Sequence, residues 1–126
     1  MLFRSVPPLP LATAQAIAEA FHREGAAAKV SSIHVNAWFG DHDKLTMSEW
    51  FLREAFDIRL ETDLRHIAYC GDSPNDAPMF AHFEHSVGVA NVRDFAGRIN
   101  STPAWITGAR SGAGFCEFAD ALLAAR

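Results

Sequence analysis

The segment that most restricts the possible fold begins at His66. His66-Ile67-Ala68-Tyr69-Cys70 is a short apolar run that passes directly into Gly71-Asp72-Ser73-Pro74-Asn75-Asp76. An apolar run of this length stopped by glycine reads as a buried strand. The polar turn then opens a helix over roughly 76–83, where Pro78 falls in the first turn and is tolerated. Strand, polar turn and helix in that order put two carboxylates and an amide beyond the carboxyl end of a strand, where open α/β sheets bind ligands. The alternation continues downstream. Strands are expected at Ser86–Ala90 and Ala104–Thr107, and a last helix aligns Phe115, Phe118, Ala119, Leu122 and Leu123. Strands alternating with helices predict a mainly parallel sheet with helical cover.

The first forty residues read differently. A helix is expected from Leu11 to Glu24, with Ala16, Ile17, Ala20 and Phe21 on one face and Gly25 as its stop. Lys29–Phe39 alternates through Val30, Ile33, Val35 and Ala37 and reads as one long strand. Asp41-His42-Asp43 then leads into a second helix, in which Met47, Phe51, Ala55 and Ile58 form the expected buried stripe. Either Asp43, or Thr46 with Glu49, can cap that helix. Residues 1–40 are thus expected to form a layer apart from residues 41–126.

Composition narrows the function. Eleven basic against fifteen acidic residues give a net charge of -4, and no basic stripe runs along the chain, so nucleic acid is excluded as a partner. No apolar run approaches the roughly 20 residues of a membrane helix. Prolines break the apolar N-terminal stretch MLFRSVPPLPLATAQA, which does not read as a signal peptide. Cys70 and Cys116 have neither ligand nor redox spacing, and a cytoplasmic, reduced protein is expected.

The turn carries the chemistry. Asp72, Asn75 and Asp76 offer hard oxygen donors suited to magnesium, and the amides of the following helix start favour a phosphate nearby. The same residues also suit a simple Asx-turn and helix cap. His82 and His85 lack a third ligand and read as helix-end residues. His34, His42 and Trp38-Phe39 suit either a substrate wall or ordinary packing.

Gly71-Asp72-Ser73-Pro74-Asn75-Asp76, followed by Ala77-Pro78-Met79-Phe80, resembles the fourth motif of haloacid dehalogenase-superfamily phosphatases, GD-x-x-ND with a small residue and an M-[LF] pair. Ser86-Val87-Gly88-Val89-Ala90-Asn91 is similar to that family's next strand and its A-N turn. Lys44 stands 28 residues before Asp72 at a helix start, where the family's third motif has its lysine. The resemblance covers Lys44 to the C-terminus. It is nearest to the sub-group whose α/β cap lies between the second and third motifs, as in sucrose-phosphate phosphatases. It implies a partial Rossmann-like α/β core over 41–126, with residues 1–40 as the closing helix and strand of a cap. It further implies that Asp72 binds magnesium, and that Asp76 supports the metal through water or orients Lys44. By the same resemblance Asn75 donates to the substrate phosphate, and Lys44 binds that phosphate and offsets its charge during catalysis. The substrate would be a small phosphate ester, a sugar phosphate by sub-group.

The family's D-x-D-x-[TV] nucleophile loop is missing. The only D-x-D here is Asp41-His42-Asp43, followed by Lys44-Leu45, and it lies after the cap-like segment rather than before it. Three readings therefore stand: a phosphatase segment that needs its other half, a non-catalytic binding or assembly module, or a small hydrolase using Asp41 or Asp43. In the family the nucleophile strand lies beside the strand that ends at Gly71. Its absence leaves an apolar edge near Ile67–Tyr69, so a homodimer is expected.

Overall fold

The computed structural model describes residues 2–4 by their backbone, and residues 9–31 and 34–125 in full. The proline-interrupted start at Pro7 and Pro8 lies outside the described residues, as do Ser32 and Ile33 of the expected long strand. The chain divides into two compact units, Met1–His42 and Asp43–Arg126.

In the first unit, helix α1 (Leu11–Arg23) follows strand β1 (Leu2–Arg4) and precedes β2 (Ala27–Val30) and β3 (His34–Trp38). The three strands form an antiparallel sheet in the order β1-β3-β2. Gly25 ends α1 with φ of 80°, the left-handed conformation that glycine adopts without steric cost. The expected single strand over Lys29–Phe39 is instead a hairpin. In one continuous strand Val30 and Val35, five residues apart, would face opposite sides; here they are paired across the ladder. The chain turns because Ser31 supplies local partners: its amide donates to His34 O at 2.8 Å, and its hydroxyl accepts from the His34 amide at 3.2 Å. The inward face of α1 is also rotated from expectation. Ala14 and Ala18 are buried on Val35, flanked by Ile17, Phe21, Ala28 and Val30, whereas Ala16 and Ala20 are exposed. Small alanines let the helix lie close to the sheet.

The second unit contains α2 (Lys44–Phe56), α3 (Leu60–Asp63), β4 (Ala68–Gly71), α4 (Ala77–His82), β5 (His85–Gly88), β6 (Trp105–Ile106) and α5 (Ser111–Ala124). Its three strands are parallel in the order β4-β5-β6, so this unit is a mixed α/β structure with a small parallel sheet flanked by helices. β4 is an edge strand, its outer side unpaired among the described residues. Leu60, Met79 and Phe83 form the buried centre, joined by Leu45, Leu52, Leu64, Ile67 and Tyr69. Helix α2 forms where expected but presents a different face. Leu45 and Leu52 point inward, while Met47, Phe51 and Ala55 of the expected stripe are exposed, with Phe51 at 53%. Periodicity reports an apolar stripe, and α2 carries two; the stripe that α4 and α3 can reach is the one buried. Of the face expected on α5, Phe118 and Ala119 are half-buried, whereas Phe115, Leu122 and Leu123 are exposed, because a three-stranded sheet offers little surface to cover. Among the described residues, no helix is long and apolar enough to cross a membrane.

Candidate active site

β4 and β5 end level with each other, Gly71 opposite Gly88, and the chain leaves β4 into a 3₁₀ turn at Pro74–Asp76. Gly71 is required by proximity. A Cβ there would lie 2.7 Å from Asp76 Oδ2 and 2.8 Å from its Cγ, closer than non-bonded atoms approach. The bare backbone lets the Asp76 carboxylate fold back onto the strand end.

That carboxylate organises the loop. Asp76 is 2% exposed. Its Oδ2 accepts from the backbone amides of Asp72 at 2.9 Å and Ser73 at 3.1 Å. Its Oδ1 accepts from the Tyr69 hydroxyl at 2.6 Å and forms an ion pair with Lys44 Nζ. Burial opposes its charge, yet the bonds from Lys44, Tyr69 and the Asp72 amide prevail and hold the carboxyl below the usual carboxylate range. Lys44 reaches this carboxylate from the first residue of α2. The helix start is fixed by Asp43, whose carboxylate accepts from the Thr46 amide at 2.9 Å while Thr46 Oγ1 accepts from the Asp43 amide at 3.0 Å. The cap is thus Asp43 with Thr46, and Glu49 is not needed for it. Asp43 is committed to capping α2.

Ser73 sets the orientation of Asn75. Ser73 is buried, and its hydroxyl donates to Asn75 Oδ1 at 2.6 Å. The Asn75 carbonyl is thereby occupied, and its amide group, which donates to no group among the described residues, is left for a ligand. Asp72 is half-exposed, and its carboxylate accepts no hydrogen bond among the described residues. Lys44, Asn75, Asp72 and Asp76 are therefore gathered at one strand end, but Asp72 and Asp76 differ in kind.

The two aspartates differ in how they suit magnesium. Asp72 is a partly exposed hard donor with open lone pairs and fits as a ligand, since magnesium commonly takes one or two carboxylates and fills the rest of its shell with water and phosphate. Asp76 does not fit as a direct ligand, because its carboxylate is buried and each oxygen already accepts at least two hydrogen bonds. Among the described residues no three His, Cys, Asp or Glu side chains converge. His82 packs edge-on against Phe83 and His85 stacks on Trp105, so the two are engaged by different aromatics. In the first unit Trp38 and His42 lie with ring centroids 6.2 Å apart, Trp38 Nε1 is buried without a hydrogen-bond partner among the described residues, and Phe39 is exposed.

Tyr69 was not among the site residues expected from sequence. Alternation along β4 places Tyr69 and Gly71 on the same face, the face Asp76 folds against. Burial, then the bond to Asp76, pushes its phenol far above the ordinary range, so it stays protonated and donates. Burial and the charges of Asp76 and Asp72 likewise push the Cys70 thiol up, which keeps it from acting as a thiolate.

Fold and site together define a mixed α/β protein with a lysine–aspartate pair beyond the end of a parallel strand. Compared with known proteins, the chain matches no family model, no curated protein and no solved structure.

Proposed function

We propose that this chain is the phosphate-handling part of a magnesium-dependent phosphatase of the haloacid dehalogenase type, acting on a small phosphate ester such as a sugar phosphate. The supporting observation is the ion pair between Lys44 and Asp76, residues 32 apart that meet at the loop after β4. A lysine that only solvated a helix start would have no reason to reach a buried carboxylate.

In this reading Asp76 is the orienting group. It anchors the loop through two amides and holds the Lys44 ammonium beside the strand end. Lys44 keeps its remaining N–H donors for the substrate phosphate and offsets negative charge as it develops. Asn75, fixed by Ser73, donates its amide protons to a phosphate oxygen. Asp72 would hold the magnesium ion, which when bound neutralises phosphate charge and orients the leaving group. Residues 1–40 are assigned to the cap, and 41–126 to half of a Rossmann-like core. Phosphoryl transfer depends on positioning and electrostatics, which these residues provide. The in-line carboxylate and the general acid, which typically contributes about 10²–10⁴-fold, would have to come from outside them. The isolated chain is therefore assigned no family-like turnover.

Titration of the chain with magnesium and inorganic phosphate, followed by amide NMR, tests this. Asp72, Asn75 and Asp76 should move first, and Asp72→Ala or Lys44→Ala should abolish the response. Shifts centred on His82 and His85 would refute the site. Robust magnesium-dependent hydrolysis of an aryl phosphate by this chain alone would refute the division of labour and return attention to Asp41.

The open edge of β4 favours a second reading, a non-catalytic assembly module that keeps the loop for binding. The two readings part on whether an added partner brings turnover.

A further inference from the structure

Lys44 has a second oxygen beside it that no part of the proposed chemistry uses. Tyr69 Oη lies 3.5 Å from Lys44 Nζ and 2.6 Å from the carboxylate oxygen that Lys44 also contacts. The phenol has one proton, and at 2.6 Å that proton goes to Asp76 Oδ1. Its lone pairs are then free to face the ammonium. The ring itself has little room to turn: it stacks on Phe83 with centroids 5.7 Å apart at 16°, and meets Phe80 edge-on at 5.9 Å. Lys44 is otherwise a long side chain, 45% exposed, and a single contact to Asp76 would let its ammonium swing about that oxygen.

We propose that Tyr69 is a positioning residue: with Asp76 Oδ1 it forms a two-oxygen seat that fixes the Lys44 ammonium and aims its remaining N–H at a phosphate. This deepens the phosphatase reading and rests on it for the identity of the ligand. The seat works by division of labour. Asp76 supplies the charge, and Tyr69 supplies the direction, because a rigid aromatic carries its hydroxyl at little conformational cost, whereas a lone carboxylate leaves a lysine several rotamers. A phosphate approaching the loop then meets a donor already in place, and the entropy of ordering Lys44 does not weaken its binding.

The test compares the intact 126-residue chain with Tyr69→Phe, which removes the hydroxyl and keeps the ring stack. The Lys44 ammonium signal, assigned by its loss in Lys44→Arg, should be observable in the parent chain. In Tyr69→Phe it should broaden through exchange with water at least about threefold faster, and inorganic phosphate should bind about three- to tenfold more weakly. An unchanged Lys44 signal in a folded Tyr69→Phe chain overturns the proposal. Tyr69 is the only tyrosine, so 3-fluorotyrosine incorporated throughout the chain gives a second readout that needs no substitution. Its fluorine resonance should shift on adding phosphate to the parent chain and stay still in Lys44→Ala. A resonance unmoved by phosphate that demonstrably binds also overturns the proposal. Phosphate binding unaffected by Lys44→Ala would sink the phosphatase reading alone, and the Lys44 signal in Tyr69→Phe would still decide the seat.

Discussion

Gly71→Ala adds one methyl group, and the structure says where it goes. The new Cβ would sit 2.7, 2.8 and 2.9 Å from Oδ2, Cγ and Cβ of Asp76, against an optimum of roughly 3.5–4.0 Å for carbon contacts. The carboxylate must retreat by nearly an ångström. The amide contacts at 2.9 and 3.1 Å would then stretch beyond hydrogen-bonding range. Hydrogen bonds to a charged group contribute about 1.5–3 kcal/mol each, and the loop relaxes in part, so a loss of about 3 kcal/mol is expected. Urea unfolding followed through the amide signals of β5 measures it. A double-mutant cycle assigns the cause: in an Asp76→Ala background, where two of the three clashing atoms are gone, the added cost of Gly71→Ala should fall below about 1 kcal/mol. Equal costs in both backgrounds, or a single substitution costing less than about 1 kcal/mol, would refute the argument.

Asp76 also sets an acid limit. Its folded pKa is depressed, so its stabilisation is fully present above the unfolded value of about 3.9 and is lost as pH falls through the folded value. Urea midpoints between pH 3 and 6 should show this slope, and Asp76→Asn should remove it. Ser73→Ala frees the Asn75 amide to flip, and should weaken inorganic phosphate binding about threefold while leaving Asp72 able to respond to magnesium, both read from NMR titration. The unpaired side of β4 should drive self-association at micromolar concentration, seen by light scattering. Ala68→Lys, a charge on that edge strand, should shift the species toward monomer.

The Asp72–Asp76 loop was legible because its chemistry is local: a strand stopped by glycine, a turn rich in oxygen donors, and a helix start are adjacent in sequence. Lys44 was legible only through its spacing from Asp72. The resemblance leaves Asp76 either supporting the metal through water or orienting Lys44, and the ion pair between them is the contact that the second role requires. Tyr69 was hidden because an aromatic in an apolar strand reads as core, and its hydroxyl contact depends on Asp76 folding back. The α2 face was misread for a different reason. Met47, Phe51 and Ala55 have helical spacing as good as that of Leu45 and Leu52, and only the position of Met79 and Phe83 decides between them. Val30 and Val35 did carry the hairpin signal in their odd separation, masked by β-branched Ile33 between them.

The paired glycines at the sheet's end have a consequence for how such a site diversifies. Gly71 leaves room for Asp76, and a Cβ at Gly88 would lie 2.7 Å from Pro103 and 2.9 Å from Val92. The floor beneath the loop is therefore closed to change, since even the smallest side chain collides there. Above it, the half-exposed carboxylate of Asp72 and the amide of Asn75 project from a frame whose own bonds do not involve those ligand-facing atoms. Substitutions at the rim can therefore alter what is bound while leaving the support intact, whereas substitutions at Gly71 or Gly88 cannot.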